Sequence, residues 1–286
     1  MMTKMESKDI KITFLGGGNM ASALISGLIQ QGFDPQNLLA IDPLPTARNY
    51  LSTQFKIRTA TDLDQCENFL GVSHLIILCV KPQQLSDALG QLNICLRHLS
   101  NPNLLTLSIV AGVRIADISK GLNHHKIVRA MPNTPALIQK GITALYAGQN
   151  VSAQDIRIID LVSKSIGKSI WVDQEKLLDA VTAISGSGPA YVFSMIEHLI
   201  QSGQALGLSL EQAKILATQT IIGSGELALS SNDSAGQLRE KVTSKGGTTF
   251  AALEVLKSKA WGEALEEAVF AANQRAREMG DEFAKK

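Results

Sequence analysis

The chain has 286 residues, 45% of them hydrophobic and 19% charged, with a formal net charge of +1. Such a composition excludes disorder over most of the length, and the length predicts two domains, because single cores stop growing near about 250–300 residues. The near-neutral balance leaves no broad basic surface, which argues against nucleic acid or an anionic membrane as the main partner. The longest wholly apolar run, Leu75–Val80, falls far short of the roughly 20 residues that span a bilayer. Cys66, Cys79 and Cys95 are odd in number and lack metal-ligand spacing, so the expectation is no metal and a reducing, cytoplasmic setting. The opening MMTKMESKD is polar and reads as a frayed leader, not a secretion signal.

In chain order, ITFLG, LLAID, LIILCV, LLTLSIV and KIVRAM are short runs apolar on both faces, with helical patterns between them. That pattern predicts a parallel sheet covered on each side. ITALYAG from Ile142 and SIWVD from Ser169 flank a helix that starts at Ser152, and they extend the sheet. After Asp173 the β signature disappears. Helices are expected over Pro189–Gly207, Ser209–Ser230, Ala235–Val242, Thr249–Lys257 and Trp261–Gly280, with a Ser209/Gln212 capping box. The expected fold is α/β: a doubly wound N-terminal sheet over 1–173, then an all-α domain over 174–286. Small residues such as Gly223, Gly225, Ala268 and Ala272 suit close helix packing, either inside one chain or, as the sparse polar positions favour, between two.

The stretch ITFLGGGNMASAL sets Gly16, Gly18 and Ala21 as G-x-G-x-x-A between a strand and a helix. Gly16 permits the turn, Gly18 lets backbone approach a pyrophosphate, and Ala21 allows close helix packing. This is the dinucleotide fingerprint of a Rossmann domain. Asp42, ending the second strand, either holds a ribose hydroxyl and favours NAD, or is a turn-former before Pro43; Arg48 is placed to meet a 2′-phosphate instead. Val80, Lys81 and Pro82 stand at a strand's carboxyl end, where Lys81 is either a ligand or a solvated charge. Asn133, between Pro132 and Pro135, lies either in a rigid loop toward the nicotinamide or in a plain turn. The five histidines lie outside these motifs and read as structural or surface residues.

Three more stretches, RAMPNTP from Arg129, SGSGPAY from Ser185 and TSKGGTT from Thr243, follow in register. With the Gly16 loop and Val80-Lys81-Pro82, they give the chain from Ile10 to about Gly280 a sequence that resembles pyrroline-5-carboxylate reductases. The resemblance implies a dimerising helical domain, possible rings of dimers, and reduction of 1-pyrroline-5-carboxylate to L-proline with NADPH, less often NADH. It implies cofactor contacts at Leu15, Gly16, Gly17, Gly18, Asn19, Met20, Val80, Lys81, Pro82, Ile109, Val110 and Ala111, and substrate contacts at Glu175, Thr248 and Thr249. Asp42 stands where some relatives carry a serine that meets the adenosine phosphate.

The substrate carboxylate calls for N–H donors, which Gly246 and Gly247 ahead of a helix N-terminus supply. The imine nitrogen calls for a proton or hydrogen-bond donor; Thr249, with Ser244 beside it, is the candidate, unless Thr249 is simply the helix cap. Two prolines usual in the family are replaced, by Lys245 and by Ala235. Two alternatives stay open: a related reductase of another small imino or 2-hydroxy acid, and a nucleotide-binding protein without catalysis.

Overall fold

The computed structural model describes residues 9–99, 101 and 104–285; the first eight residues of the polar leader lie outside that range. The chain begins with β1 (Ile12–Leu15), α1 (Asn19–Gln30), β2 (Leu38–Ile41), α2 (Pro45–Phe55), β3 (Arg58–Ala60), α3 (Glu67–Leu70), β4 (Leu75–Leu78) and α4 (Pro82–His98). It continues with β5 (Leu105–Ser108), α5 (Ile115–Leu122), β6 (Ile127–Met131), β7 (Gly141–Ala147), α6 (Ala153–Lys164), β8 (Gly167–Trp171) and α7 (Leu177–Val181). The remainder is helical: α8 (Gly188–Ala205), α9 (Leu210–Ser230), α10 (Ala235–Lys241), α11 (Thr248–Ser258) and α12 (Trp261–Ala284).

The eight strands form one sheet in the order β3-β2-β1-β4-β5-β6-β7-β8. Strands β1 to β6 are mutually parallel, and β1, β2, β4 and β5 are buried along their whole length. Strands apolar on both faces are stable only with helices on both sides, and the core accordingly forms two clusters. One holds Ile12, Phe14, Leu24 and Ile77, the other Leu15, Ile76, Leu78 and Leu85. The order reverses between β1 and β4, the place where such sheets leave a crevice outside the strands' carboxyl ends.

The expected α/β class and the succession of sheet then helices are both found. Two features were not anticipated. Strand β7 runs antiparallel to β6, because the 3-10 turn Thr134–Ile138 folds the chain straight back. A short edge strand, β3, pairs only with β2.

Contacts divide the chain into two compact units: residues up to Gly186 together with those from Asn273 onward, and Ser187–Ala272. This differs from a division at 173. The end of the β signature marks the last strand, whereas α7 still packs on β6 and β7 and runs on into a π-helical turn, Thr182–Gly186, with Leu178 and Ala183 buried. The end of α12 returns to the same unit, where Phe283 packs on the second core cluster.

Candidate active site

Strand β1 delivers the chain into the Gly16 loop at the switch point. Gly16 has φ +104°, and its amide donates to the Ile41 carbonyl at 2.8 Å. A Cβ there would lie 2.8 Å from both the carbonyl carbon and oxygen of Cys79. Gly18 differs: a Cβ on it would meet no protein atom within 4 Å. It is the N-cap of α1 and has no side-chain cap partner, so the first-turn amides of the helix stay available to an anion.

Around this loop lies a crevice of about 680 Å³ lined by Leu15, Gly16, Gly17, Gly18, Asp42 and Val80, with Lys81 also on its wall. Asp42 is oriented by two amides, Gly17 to Oδ2 and Leu44 to Oδ1, each at 2.8 Å. Arg48 donates to the Asp42 carbonyl at 2.7 Å. The carboxylate is therefore held at the lip of the crevice, and the guanidinium is fixed beside it. Lys81 is the exposed N-cap of α4, and Pro82 takes the first helical position. Cys79 shares the wall, but burial pushes its thiol well above the ordinary range, so it is no nucleophile there. Thr61 and Leu63, in the loop after β3, also line the crevice; they escape sequence reading because β3 does.

Asn19 and Met20 open α1, with Met20 packed on the core. Ile109, Val110 and Ala111 form the turn after β5, along the same sheet edge. The Ile109 amide donates to the Leu78 carbonyl at 3.2 Å, and the Val110 amide to Ser108 Oγ at 3.3 Å. Asn133 is buried; its Oδ1 accepts from the Ile142 amide at 3.0 Å, so that oxygen ties the Pro132 loop to β7. Glu175 also lies in the sheet unit. Its Oε1 accepts from the Ile115 amide at 2.7 Å and from Arg129 Nη1 at 2.8 Å. The carboxylate expected to face substrate is thus engaged by two protein donors.

In the helical unit, the Gly247 amide donates to the Ser244 carbonyl at 3.0 Å, and Gly246 has φ +72°. Lys245 is not among the positive-φ residues. These features define a type II turn with Lys245 at its second position and Gly246 at its third. Gly247 is the N-cap of α11, and Thr248 and Thr249 follow in the first turn with no side-chain cap. Thr249 is therefore not the cap. Helices α6, α9 and α10 by contrast all carry serine capping boxes. The Gly247 amide is spent on the turn; the donors left over are the first-turn amides of Thr248, Thr249 and Phe250. A Cβ on Gly247 would lie 2.4 Å from Ser244 Oγ and 3.2 Å from the Ser244 carbonyl oxygen, so a side chain there would make the serine change rotamer and crowd the turn.

The turn also shows what a proline in place of Lys245 would do. Proline is favoured at the second position of a type II turn because its φ is preset. Lys245→Pro is expected to raise Tm slightly, from about 0.4–1 kcal/mol of lost unfolded-state freedom, and to lower the imino-acid KM by preorganising the turn. A raised KM would show instead that the lysine charge contributes to binding.

The doubly wound sheet, the glycine crevice and the anion-ready helix start define a dinucleotide-dependent oxidoreductase with a helical second domain. Two family models agree: "NADP oxidoreductase coenzyme F420-dependent" over residues 11–112 and "Pyrroline-5-carboxylate reductase dimerisation" over residues 175–279. The pyrroline-5-carboxylate reductase of Synechocystis sp. is 38% identical over 272 residues, 95% of this chain and 98% of that protein. That of Pseudomonas aeruginosa is 36% identical over 96% and 98%. The solved pyrroline-5-carboxylate reductase of Coxiella burnetii superposes with a TM-score of 0.85 at 34% identity, covering 95% of this chain and 98% of that one. The Plasmodium falciparum structure with NADP bound gives 0.83 at 30% identity, covering 96% and 99%. The chain belongs to the pyrroline-5-carboxylate reductase family.

Proposed function

We infer that the chain reduces 1-pyrroline-5-carboxylate to L-proline, the closing step of proline biosynthesis, with NADPH or NADH. The observation that carries the reading is the α11 N-terminus, left uncapped behind a Ser244–Gly247 turn in a chain that also holds a pyrophosphate-ready Gly16 crevice.

The residues present suit the cofactor, since the space beside Gly18 is what a phosphate would fill and a β-carbon would block. When bound, the dinucleotide supplies the hydride. Residues 15–20 would hold the pyrophosphate, Asp42 and residues 80–82 the adenosine end of the same crevice, and residues 109–111 and 133 the nicotinamide side. The amides of Thr248, Thr249 and Phe250, at the positive end of α11, receive the substrate carboxylate. Thr249 donates a hydrogen bond to the ring nitrogen, which must gain a proton as its carbon gains hydride. A hydroxyl is a weak acid, so Thr249 orients the imine and passes on a proton drawn from water, with Ser244 beside it. Most of the acceleration comes from orientation, which can supply roughly 7–11 kcal/mol.

Asp42 sets the cofactor preference in this reading. A carboxylate at the lip repels a 2′-phosphate by about 1–2 kcal/mol at partly screened distances. Asp42→Ser is expected to raise the NADPH-to-NADH ratio of kcat/KM about tenfold, with Arg48 left to meet the phosphate. An unchanged ratio would remove Asp42 from this role.

Self-association belongs to the same reading. In Ser187–Ala272 only Gly188, Ala213 and Ala217 are buried, while Phe193 is 62%, Leu206 86% and Phe270 69% exposed. Such a unit has no adequate core of its own and requires a partner surface. The unit assumed is a homodimer, with rings of dimers as the larger form; sedimentation velocity separates the two. The reading also takes a small imino acid, not nucleic acid, as the partner. No helix among the described residues is long and apolar enough to cross a membrane. Three free cysteines support a cytoplasmic setting.

The decisive assay follows nicotinamide absorbance with freshly made pyrroline-5-carboxylate and NADPH or NADH. Turnover is expected with both. Cofactor binding without turnover would sink the reductase reading.

A further inference from the structure

The Glu175 carboxylate joins three segments that are remote in sequence. Glu175 lies between β8 and α7; Ile115, whose amide it accepts, opens α5; and Arg129 lies near the end of β6, just ahead of Pro132 and Asn133. The Arg129 side chain is only 7% exposed, against 26% for Glu175. A guanidinium so buried requires a fixed counter-charge. Asp179, four residues beyond Glu175, faces the same Arg129 and also Arg114 and Arg277; burial pushes its carboxyl up in spite of these cations. The direct hydrogen bond belongs to Glu175.

The consequence falls on the turn after β5. Its start is tied to β4 through Ile109 and Leu78, and Val110 is buried in the second core cluster. Its far end is tied to Glu175 through Ile115. The same oxygen ties Arg129, and Asn133 downstream is tied to β7. The loops leaving β5 and β6, at the edge assigned to the nicotinamide, therefore share one brace.

We propose that Glu175 is a positioning residue: through Ile115 and Arg129 it sets the spacing of the 109–114 and 132–133 loops and does not itself touch the imino acid. This rests on the nicotinamide reading given above.

The test compares Glu175→Gln, Arg129→Lys and the double variant with the unaltered protein. Each single variant is expected to lower kcat by about tenfold to a hundredfold, as misplaced reactants do, with the imino-acid KM held within about twofold. Each also weakens NADPH binding, followed by cofactor fluorescence, and the double variant is no worse than the worse single one. A KM increase confined to Glu175→Gln at unchanged kcat would make Glu175 a substrate ligand and overturn the proposal. So would a lower Tm in both variants with kcat, KM and cofactor Kd unchanged, since the brace would then be merely structural. Should Glu175→Gln not fold, Arg129→Lys carries the same readouts with the buried charge still paired. Should the unaltered protein fail to reduce pyrroline-5-carboxylate, the functional reading fails, while the cofactor Kd series still decides the role of Glu175.

Discussion

Gly16→Ala is expected to weaken NADPH binding by at least about a hundredfold and to lower Tm, whereas Gly18→Ala weakens binding and leaves Tm unchanged. At Gly16 two costs add. The φ of +104° is one that L side chains rarely adopt, at a strain of order 1–3 kcal/mol. The new methyl would also stand 2.8 Å from the Cys79 carbonyl and 3.1 Å from the Val80 amide. Both are backbone atoms at the end of a central strand, and the Cys79 amide is itself bonded to the Leu15 carbonyl at 2.8 Å, so neither can step aside. The loop has to move, and with it the α1 amides that would receive the pyrophosphate; a loss of about 2.7 kcal/mol there is a hundredfold in Kd. At Gly18 the protein offers no clash, and the methyl intrudes only on the open space proposed for the phosphate. Cofactor titration beside thermal melts separates the two. Unchanged cofactor binding in Gly18→Ala would mean that the open side of Gly18 is not the phosphate site.

That contrast also shows what a sequence can and cannot carry. Gly16 and Gly18 are legible because the demands on them, a positive φ and an unobstructed approach, are met by one residue type at a fixed spacing. Strands β2 and β4 are legible because burial on both faces leaves unbroken apolar runs, LLAI and LIIL. Direction is another matter: GITALYA reads the same whether it runs with β6 or against it, and only the turn at Thr134–Ile138 decides. Strand β3 has three residues, one of them exposed, and carries too little pattern to be seen. The helices from Gly188 onward are legible from caps and periodicity, whereas the five-residue α7 carries too little pattern to be seen, and the return of α12 to the sheet unit is hidden because an amphipathic face does not say what covers it. The same limit hides the Glu175 brace, whose partners lie 46 and 60 residues away.

Thr249→Val is expected to lower kcat by about a hundredfold to a thousandfold, the range for a positioned donor to a reacting atom. The imino-acid KM should change far less, and Tm and cofactor Kd should stay as they are. Valine keeps the shape and β-branching of threonine and removes only the hydroxyl. Thr249 sits in the first turn of α11, half-buried, and Gly247 is the cap, so the helix does not depend on the hydroxyl. Its backbone amide, which we propose serves the substrate carboxylate, is untouched, so binding should survive while turnover falls. Thr249→Ser restores the donor and should recover most of the rate. A purely structural threonine would give the reverse result, a lower Tm with kcat nearly intact. Full activity in Thr249→Val would leave water alone to supply the proton and would take the hydroxyl out of the mechanism.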